Sequence, residues 1–301
     1  MTADAGARSE PWTGPPLGRL AVIGVGQIGG SVALAARAAG AVTEVVGFSR
    51  SAETMREARQ LGIIDRAAST AALAVQGAGV IVLATPVRSL GGIAKQIASA
   101  IDARALVFDV GSVKVAALRA LEPVLPRGVF IACHPLAGTE RAGPDSASAG
   151  LFEGRRCVVC PTVHTDVDRL ELARRLWTAM GAEVVLLDAA LHDRVLGAAS
   201  HLPHIAAYAL AAAAGGVDAA VLDEMAHLPT TSLRDTTRVA ASSPAMWRDI
   251  FLDNRTEMLP LIDRLLAEIQ ALRAAIDAGD DGRLDALLVQ AKARRDRLVS
   301  K

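Results

Sequence analysis

The stretch Leu20-Ala-Val-Ile-Gly-Val-Gly-Gln-Ile-Gly-Gly-Ser31 decides the predicted fold. Its apolar beginning is typical of a buried β-strand, and the glycines that follow, Gly24, Gly26 and Gly29, have the spacing G-x-G-x-x-G. An Ala-rich helical pattern comes next, and residues 44–48 predict a second strand. A glycine turn within this order of strand, helix and strand indicates a dinucleotide-binding unit, the alternative being an ordinary glycine-rich turn of an α/β protein.

Each glycine of the motif has a predicted physical role. Gly24 permits the tight turn from strand to helix, Gly26 lets the backbone approach a pyrophosphate, and Gly29 lets the helix pack closely on the strand. The anion is expected at the positive end of that helix, and the loop after a later strand, Ala84-Thr-Pro-Val87, is expected to border the same ligand. The predicted cofactor-binding residues are Gly24, Gly26, Gln27, Ile28, Gly29, Ser49, Arg50, Ser51, Thr85 and Pro86.

The end of the second strand indicates which dinucleotide binds. A site for NAD usually has Asp or Glu about 20 residues beyond the glycines, where the carboxylate binds the ribose 2′-hydroxyl. Here Ser49, Arg50 and Ser51 occupy that place. Hydroxyl groups and a guanidinium can bind a 2′-phosphate that a carboxylate would repel, so NADP is favoured and NAD remains possible. The alternative is that Arg50 is a solvated charge at the start of the next helix.

The pattern of elements divides the chain into two parts. Strand and helix patterns alternate as far as Asp188, and only helical patterns follow. This predicts an α/β fold with a Rossmann-type, doubly wound, mostly parallel sheet over residues 18–188 and an all-helical domain over residues 189–301. Residues 1–17 are predicted to form a disordered tail. Because the helical half is rich in Ala and Leu, we expect it to pack against its own copy in a homodimer.

Composition narrows the classes of partner. A chain of 301 residues with 51% hydrophobic residues can bury a substantial core, and its net charge of +0 favours a small-molecule partner over nucleic acid or an anionic membrane. Residues 195–221 are strongly apolar but contain His201, Pro203 and His204, which predicts a buried helix rather than a membrane span. No charged leader with an apolar segment and cleavage site is recognisable, so a cytoplasmic protein is expected.

One histidine is a candidate general base. The segments that begin at Asp109 and at His134 each follow a predicted strand, so Ser112 and His134 can meet at one edge of the sheet. A histidine there could accept a proton from a substrate alcohol while a hydride leaves for the nicotinamide, with its tautomer fixed by the Ser112 hydroxyl. The alternative is a histidine that merely caps the next turn.

Two further polar groups lie in the helical half. His192-Asp193 precedes His201 and His204, which share one helix face, and we expect a polar cluster at the domain boundary that faces the cofactor. Arg238 lies in an otherwise small and apolar helix, which predicts a buried guanidinium with an anionic partner. That partner is either a substrate carboxylate or an internal aspartate, Asp235 or Asp249.

No metal site is predicted. His201 and His204 have the spacing of half a metal site, but no further ligands can be assigned to them. Cys157 and Cys160 form a C-x-x-C motif, yet their neighbours indicate a strand, and residues three apart on a strand point to opposite faces. We therefore interpret both cysteines as structural.

Six segments in a fixed order then point to a known family. They are Gly-Val-Gly-Gln-Ile-Gly-Gly-Ser at 24–31, Ala-Thr-Pro-Val at 84–87, Asp-Val-Gly-Ser-Val-Lys at 109–114, His-Pro-Leu-Ala-Gly-Thr-Glu at 134–140, Ser-His-Leu-Pro-His at 200–204 and Arg-Asp-Thr-Thr-Arg at 234–238. Together they resemble prephenate and arogenate dehydrogenases, the tyrosine-pathway family. The resemblance implies an oxidative decarboxylation in which hydride passes from C4 of a cyclohexadienol to NAD(P)+ and the ring carboxylate leaves as CO2.

The resemblance also implies roles for single residues. His134 resembles the catalytic histidine that contacts the substrate 4-hydroxyl, and Ser112 the hydroxyl that orients it. His204 matches a second active-site histidine, and Arg238 the arginine that binds a substrate carboxylate. The predicted site residues are His134, Ser112 and His204 for catalysis and Arg238, His201 and Lys114 for substrate binding.

Three alternative functions are open to a chain of this kind. A 4-amino-4-deoxyprephenate dehydrogenase would use the same chemistry on a substrate with an amine in place of the hydroxyl. A hydroxyacid dehydrogenase or imine reductase would usually need a lysine base in the helical half, and residues 188–238 contain none. A dinucleotide-sensing regulator could lose His134 or Arg238 without penalty, yet both are present. We therefore favour the enzyme of tyrosine biosynthesis.

Overall fold

The computed structural model describes residues 11–139, 141–228 and 230–299 and is organised around one eight-stranded sheet. The strands are β1 (Arg19–Ile23), β2 (Glu44–Phe48), β3 (Arg66–Ala67), β4 (Val80–Leu83), β5 (Leu106–Asp109), β6 (Phe130–Pro135), β7 (Arg156–Cys160) and β8 (Glu183–Leu186). Their order across the sheet is β3-β2-β1-β4-β5-β6-β7-β8. Strands β1 to β6 are parallel, β7 is antiparallel to β6, and β8 is parallel to β7. The predicted doubly wound, mostly parallel sheet is confirmed.

Helices cover both faces of this sheet, and only helices follow its last strand. Those of the sheet part are α1 (Gln27–Ala38), α2 (Ala52–Gln60), α3 (Ala71–Val75), α4 (Leu90–Ile97), α5 (Lys114–Leu121) and α6 (Val167–Ala179). Those that follow are α7 (Ala189–Leu196), α8 (Leu202–Gly215), α9 (Ala219–His227), α10 (Thr231–Thr237), α11 (Pro244–Asp253), α12 (Arg255–Asp277) and α13 (Asp281–Val299). A π-helical turn, Gly197–His201, joins α7 to α8. The predicted change to an all-helical part after β8 is confirmed.

The core lies in two layers because successive side chains of a strand point to opposite faces. In β1, Leu20 and Val22 belong to the layer under α1, α2 and α6, whereas Ala21 and Ile23 belong to the layer under α3, α4 and α5. Burial on both faces explains why the central strands are apolar throughout. Cys157 and Cys160 of β7 follow the same rule, since they lie in different layers. Both thiols are buried and free, in agreement with the structural interpretation of the C-x-x-C motif.

The glycine turn after β1 has the geometry that its sequence predicts. Gly24 has a φ of +100°, in the region that favours glycine, and a Cβ there would collide with the carbonyl oxygen of Ala84. A Cβ on Gly29 would collide with the carbonyl oxygen of Gly24 and press on the Ala84 side chain. A Cβ on Gly26 would meet nothing within 4 Å. Gly24 and Gly29 therefore serve the turn and the packing, and Gly26 borders open space.

Residues 11–17 make defined contacts, although the sequence predicts a disordered tail there. The guanidinium of Arg175 on α6 lies 4.9 Å from the ring centroid of Trp12 and also donates to the carbonyl oxygen of Thr13. The backbone N–H of Leu17 donates to the carbonyl oxygen of Ala41 at 2.8 Å. The cation–π contact between Arg175 and Trp12 therefore holds residues 11–17 against α6. Residues 1–10 of the predicted tail lie outside the described residues.

The long helical pattern of residues 242–278 is interrupted at Asn254, between α11 and α12. A proline inside such a pattern predicts a kink or a new turn at Pro260, and no new helix begins there because α12 continues through Pro260. Asn254 is 3% exposed and its side chain is bonded to other parts of the chain. A buried amide that needs partners, rather than the proline, fixes the place of the break.

One helical run, Ala189–Gly215, is long and apolar enough to cross a membrane by length and composition alone. Only 22% of its most apolar 18-residue segment is buried in the single chain, so the prediction of a buried helix is wrong for the monomer. Leu191, Val195 and Leu210 on this run are exposed. Its apolar surface therefore faces outward from the chain.

Candidate active site

A cleft opens where the strand order reverses, between the ends of β1 and β4. In doubly wound sheets this switch point is where ligands bind. The cleft has a volume of about 510 Å³. Of the predicted cofactor-binding residues, those that line it are Gly24, Gly26, Ser49, Arg50, Thr85 and Pro86. The cleft therefore lies where the sequence predicts it, and the four other predicted residues, Gln27, Ile28, Gly29 and Ser51, are not among those that line it.

The cleft has features that fit a dinucleotide. Among the described residues no side chain caps the first turn of α1, and no acidic residue lies in that turn, so its backbone N–H groups suit an anion. The space beside Gly26 lets a pyrophosphate approach these groups. Thr85 Oγ1, which is buried in the cleft wall, has no hydrogen-bond partner among the described residues. A buried hydroxyl without a partner is rare and is expected to bond to a ligand or to water.

The side chain of Gln27 bonds to the segment that follows β6. Its amide nitrogen donates to Thr139 Oγ1 at 2.7 Å and to the carbonyl oxygen of Ser146 at 3.4 Å. Its amide oxygen accepts from the backbone N–H of Thr139 at 2.9 Å. The prediction that Gln27 binds cofactor is therefore not supported for its side chain, which pins the loop after β6 to the start of α1.

The segment after β2 presents a cation to the cleft. Ser49 Oγ accepts from the backbone N–H of Ser51 at 3.3 Å, and Ser51 Oγ caps α2 by accepting from the N–H of Thr54 at 3.1 Å. Arg50 is exposed at the cleft, and within the described residues no carboxylate pairs with it. The Ser51 hydroxyl thus caps the N-terminus of α2, whereas Ser49 and Arg50 line the cleft.

His134 lies at the end of β6 and is 9% exposed. Its Nδ1 is 2.8 Å from Nε2 of His192, and the two rings meet edge to face. Burial, with the neighbouring His192 and Lys114, lowers the pKa of His134 well below its ordinary value. The imidazole is therefore neutral at physiological pH, as a general base must be before it accepts a proton.

The hydroxyl expected to orient His134 does not do so. Ser112 is half-buried after β5, and no hydrogen bond joins it to His134 among the residues that the structure describes. His192 of α7 occupies the position next to the Nδ1 atom instead. The residue beside His134 is therefore His192, which follows the last strand of the sheet, and not Ser112 as predicted.

His192 is itself held by the residue that follows it. Asp193 Oδ1 lies 2.7 Å from His192 Nδ1 and accepts the backbone N–H of Lys114 at 2.8 Å. Asp193 Oδ2 accepts the N–H of Val115 at 3.0 Å. Lys114 and Val115 are the first residues of α5, so the carboxylate lies at the positive end of that helix. Asp193 thus connects the helical part to the sheet part.

Lys114 is a buried structural residue. Its side chain is 0% exposed, its Nζ lies 2.5 Å from Asp109 Oδ2, and it donates to the carbonyl oxygen of Cys133 at 2.6 Å. Asp109 also accepts from the N–H groups of Gly111 and Cys133. The prediction that Lys114 binds substrate is not supported, because its ammonium is enclosed beneath the strand that carries His134.

His201 is also enclosed. It is 1% exposed, and the amide nitrogen of Asn254 lies 3.0 Å from its Nδ1 and 2.9 Å from the carbonyl oxygen of Asp193. Burial lowers the pKa of His201 to about 4, so the ring is neutral. The expected substrate contact of His201 is therefore not supported by its position, which is in the wall behind the site.

His204 and Arg238 lie near one another and nearer the surface. His204 is half-buried, stacks on Trp247 with ring centroids 3.5 Å apart, and its Nδ1 bonds to the carbonyl oxygen of Ser200 at 2.9 Å. Burial lowers the pKa of His204, and the charge of Arg238 lowers it further. Arg238 is exposed rather than buried as predicted, because α10 ends at Thr237 and Arg238 begins a 3-10 turn.

The aspartates considered as partners of Arg238 pair with other residues. Asp235 is bonded to Arg234, and Asp249 accepts two hydrogen bonds from Arg248. Arg238 itself has an interaction within the chain, and its charge is close enough to His204 to lower the pKa of that ring.

Comparison with known proteins places this geometry in a family. Residues 32–186 match the prephenate dehydrogenase nucleotide-binding domain, and residues 188–290 match the prephenate dehydrogenase dimerization domain. The chain is 36% identical to the cyclohexadienyl dehydrogenase of Zymomonas mobilis over 87% of its own length and 89% of that protein. The chain belongs to the prephenate dehydrogenase family.

Solved structures of the family have the same fold. Prephenate dehydrogenase from Aquifex aeolicus, in complex with hydroxyphenyl propionate and NAD+, is 32% identical and superposes with a TM-score of 0.79 over 93% of this chain and 98% of that one. Synechocystis arogenate dehydrogenase is 30% identical, with a TM-score of 0.76 over 93% of this chain and all of that one (100%). The predictions of an oxidoreductase of this family and of a nicotinamide dinucleotide cofactor are confirmed.

Sequence reasoning missed the roles of three residues, which are His192 beside His134, Asp193 beside His192, and Asn254, which bonds to the backbone of Asp193. His192 and Asp193 were assigned only to a polar cluster, and Asn254 to nothing. A signal for the first two was present, because Ala189, His192, Asp193 and Leu196 have the i, i+3, i+4, i+7 spacing of a buried helix face and are all buried. Polar residues on such a face need buried partners. No comparable pattern marked Asn254.

Proposed function

We propose that this enzyme oxidises a cyclohexadienol of the prephenate or arogenate type, with NADP favoured as the cofactor. A bound nicotinamide would accept a hydride from C4 of the substrate while the ring carboxylate leaves as CO2. The observation that carries the proposal is a neutral histidine near the dinucleotide cleft. Only β5 separates β4, which borders the cleft, from β6, which ends in His134, so the two strand ends lie roughly 10 Å apart.

His134 is proposed to be the base that accepts the proton of the substrate hydroxyl. Its Nδ1 is engaged by His192, and its Nε2 has no partner among the described residues. The lowered pKa keeps the ring unprotonated, so Nε2 can take the proton as the hydroxyl carbon loses hydride. The proton thereby moves from the substrate oxygen to Nε2 of His134.

Arg238 and His204 are proposed to contact a substrate carboxylate. A guanidinium can hold a carboxylate through two parallel hydrogen bonds. Because Nδ1 of His204 bonds to a carbonyl oxygen, that atom carries the proton and Nε2 is left as the atom that can face a ligand. The stack on Trp247 fixes the orientation of the His204 ring.

The experiment that tests the function measures formation of reduced cofactor by the purified chain. Prephenate and arogenate are each combined with NAD+ and with NADP+. We expect turnover with at least one substrate, and faster turnover with NADP+ than with NAD+. Cofactor binding without turnover in all four mixtures would contradict the proposal and direct the search to the amino-substituted substrate.

The preference for NADP is proposed from the residues after β2. Replacing Ser49 by Asp places a carboxylate beside the expected 2′-phosphate, so we expect kcat/KM to fall with NADP+ and to rise or persist with NAD+. Ser99 is exposed and does not line the cleft, so Ser99→Asp is the matched control and should leave both values unchanged. An unchanged ratio of the two kcat/KM values in Ser49→Asp would show that the ribose pocket is elsewhere.

A homodimer in the cytoplasm is the proposed state of the enzyme. The matched helical domain is named for dimerization, and the run Ala189–Gly215 exposes apolar side chains that a second copy would cover. Large apolar patches on a single chain usually mark such interfaces. We therefore assign the apolar run to a contact between copies rather than to a membrane.

A further inference from the structure

The buried pair His192-Asp193 contacts the candidate base but has no role in the function proposed above. Both residues are nearly inaccessible, with exposures of 0% and 3%. They form a chain of close contacts in which Asp193 Oδ1 is 2.7 Å from His192 Nδ1 and His192 Nε2 is 2.8 Å from His134 Nδ1. Each hydrogen bond in this chain constrains the next one, because a buried polar group without a partner destabilises the folded protein.

The direction of the hydrogen bonds follows from what each atom can do. Asp193 accepts the N–H groups of Lys114 and Val115, one on each oxygen, so its carboxylate acts as an acceptor throughout. His192 must therefore donate from Nδ1. With His192 in its neutral form, which is part of the proposal, Nε2 carries a lone pair to which His134 donates from its own Nδ1.

These hydrogen bonds determine which ring nitrogen of His134 carries the lone pair. When Nδ1 of a neutral histidine carries the proton, Nε2 carries the lone pair. His134 is neutral because its pKa is lowered by burial, so the chain of bonds presents a basic Nε2. The opposite tautomer would place two lone pairs face to face between His134 and His192, or between His192 and Asp193. With both rings neutral, the contacts of 2.7 and 2.8 Å between the three groups disfavour this arrangement.

We propose that His192 and Asp193 are positioning residues that fix His134 in the tautomer with a basic Nε2 and stabilise the imidazolium formed when it accepts a proton. After the proton arrives at Nε2, Nδ1–H still donates to His192, and the new positive charge is stabilised through that ring by the Asp193 carboxylate. No oxidant or further proton acceptor is needed. The inference rests on the proposed function, since it assigns partners to the base of that reaction.

Asn254 completes the arrangement. Its amide nitrogen donates to the carbonyl oxygen of Asp193 at 2.9 Å and lies 3.0 Å from Nδ1 of His201. The first of these bonds holds the backbone of Asp193. Asp193 is therefore fixed by its backbone through Asn254 and by its side chain through the start of α5.

The first test is made on the unmodified enzyme. The ¹⁵N chemical shifts of the His134 ring distinguish a protonated from an unprotonated nitrogen. We expect protonated Nδ1 and unprotonated Nε2, both without cofactor and with NADP+ bound. A protonated Nε2 in the neutral ring would overturn the inference. This measurement uses no substrate, so it stays decisive even if neither prephenate nor arogenate is turned over.

The second test compares two replacements of His192 with the substrate that the enzyme uses. His192→Phe removes the acceptor, and we expect kcat to fall about 100-fold, with the KM and the cofactor Kd little changed. His192→Gln offers a carbonyl oxygen to Nδ1–H of His134, and we expect it to recover most of the lost kcat. These variants are preferred to changes at Asp193, which also caps α5.

The outcomes separate positioning from a merely structural role. A folded His192→Phe enzyme with the kcat of the parent would overturn the inference. So would a His192→Gln enzyme that is folded, keeps cofactor affinity and shows no recovery. If His192→Phe does not fold, the kcat of His192→Gln and the ¹⁵N chemical shifts of His134 in the parent enzyme still test the inference.

Discussion

Replacement of His134 by alanine is expected to lower kcat by a factor of about 10²–10⁴, which is the usual contribution of a general base. The pKa of this ring is lowered by burial, so in the parent enzyme it is ready to accept a proton at physiological pH. The cofactor cleft lies at the ends of β1 and β4 and does not include His134, so the Kd for NADP+ should be unchanged. Steady-state kinetics and a binding titration measure the two quantities separately.

A surface histidine is the matched control for this change. His164 is exposed in the loop before α6, and His164→Ala should leave kcat as it is in the parent enzyme. Turnover by His134→Ala at the parent rate would show that another group accepts the proton. Loss of both turnover and cofactor binding would instead indicate a disturbed fold, which thermal unfolding would reveal.

Replacement of Lys114 by methionine is expected to lower the free energy of unfolding by about 3–5 kcal/mol, the usual cost of leaving one charge of a buried pair without its partner. Lys114 and Asp109 are both 0% exposed, and the ammonium also serves the carbonyl oxygen of Cys133. Methionine keeps the length of the side chain but supplies neither the charge nor the donors. Urea unfolding followed by circular dichroism measures the difference.

Two further variants test the cause of that loss. Lys292→Met removes the lysine of an exposed pair with Asp296, and its effect should be small because water already screens such pairs. In the double variant Asp109→Leu with Lys114→Met the uncompensated carboxylate is gone, so part of the lost stability should return. If Lys114→Met unfolded at the same urea concentration as the parent, the buried ion pair would not be the source of stability.

The parts of the site that local sequence determines were predicted well. The turn at Gly24 and the packing at Gly29 depend on neighbours within one βαβ unit, where spacing carries the information. The position of His134 could be predicted because it follows a strand whose end must lie at the ligand edge of a parallel sheet. The position of such residues follows from topology, and topology follows from the alternation of strands and helices.

The partners of those residues were predicted poorly because they come from distant segments. Ser112 was chosen to orient His134 since their strands are neighbours, but side chains on neighbouring strand ends need not meet. The true neighbour, His192, is 58 positions away along the chain. Lys114 was assigned to substrate because it stands in a polar motif, whereas its charge is neutralised by Asp109 in the core. Neither contact has a signature in residue spacing.

The assembly of the base from separate segments has a consequence for folding. His134 comes from the sheet part, its acceptor from α7, and Asn254 from the break before α12, 61 positions beyond Asp193. Contacts between remote segments form late, because the loops between them must close first. A polypeptide that ended after β8 would retain the glycine turn and its cleft but would lack an acceptor for His134 and a cap for α5. During refolding from denaturant, the ability to bind dinucleotide should therefore return before the ability to turn over substrate.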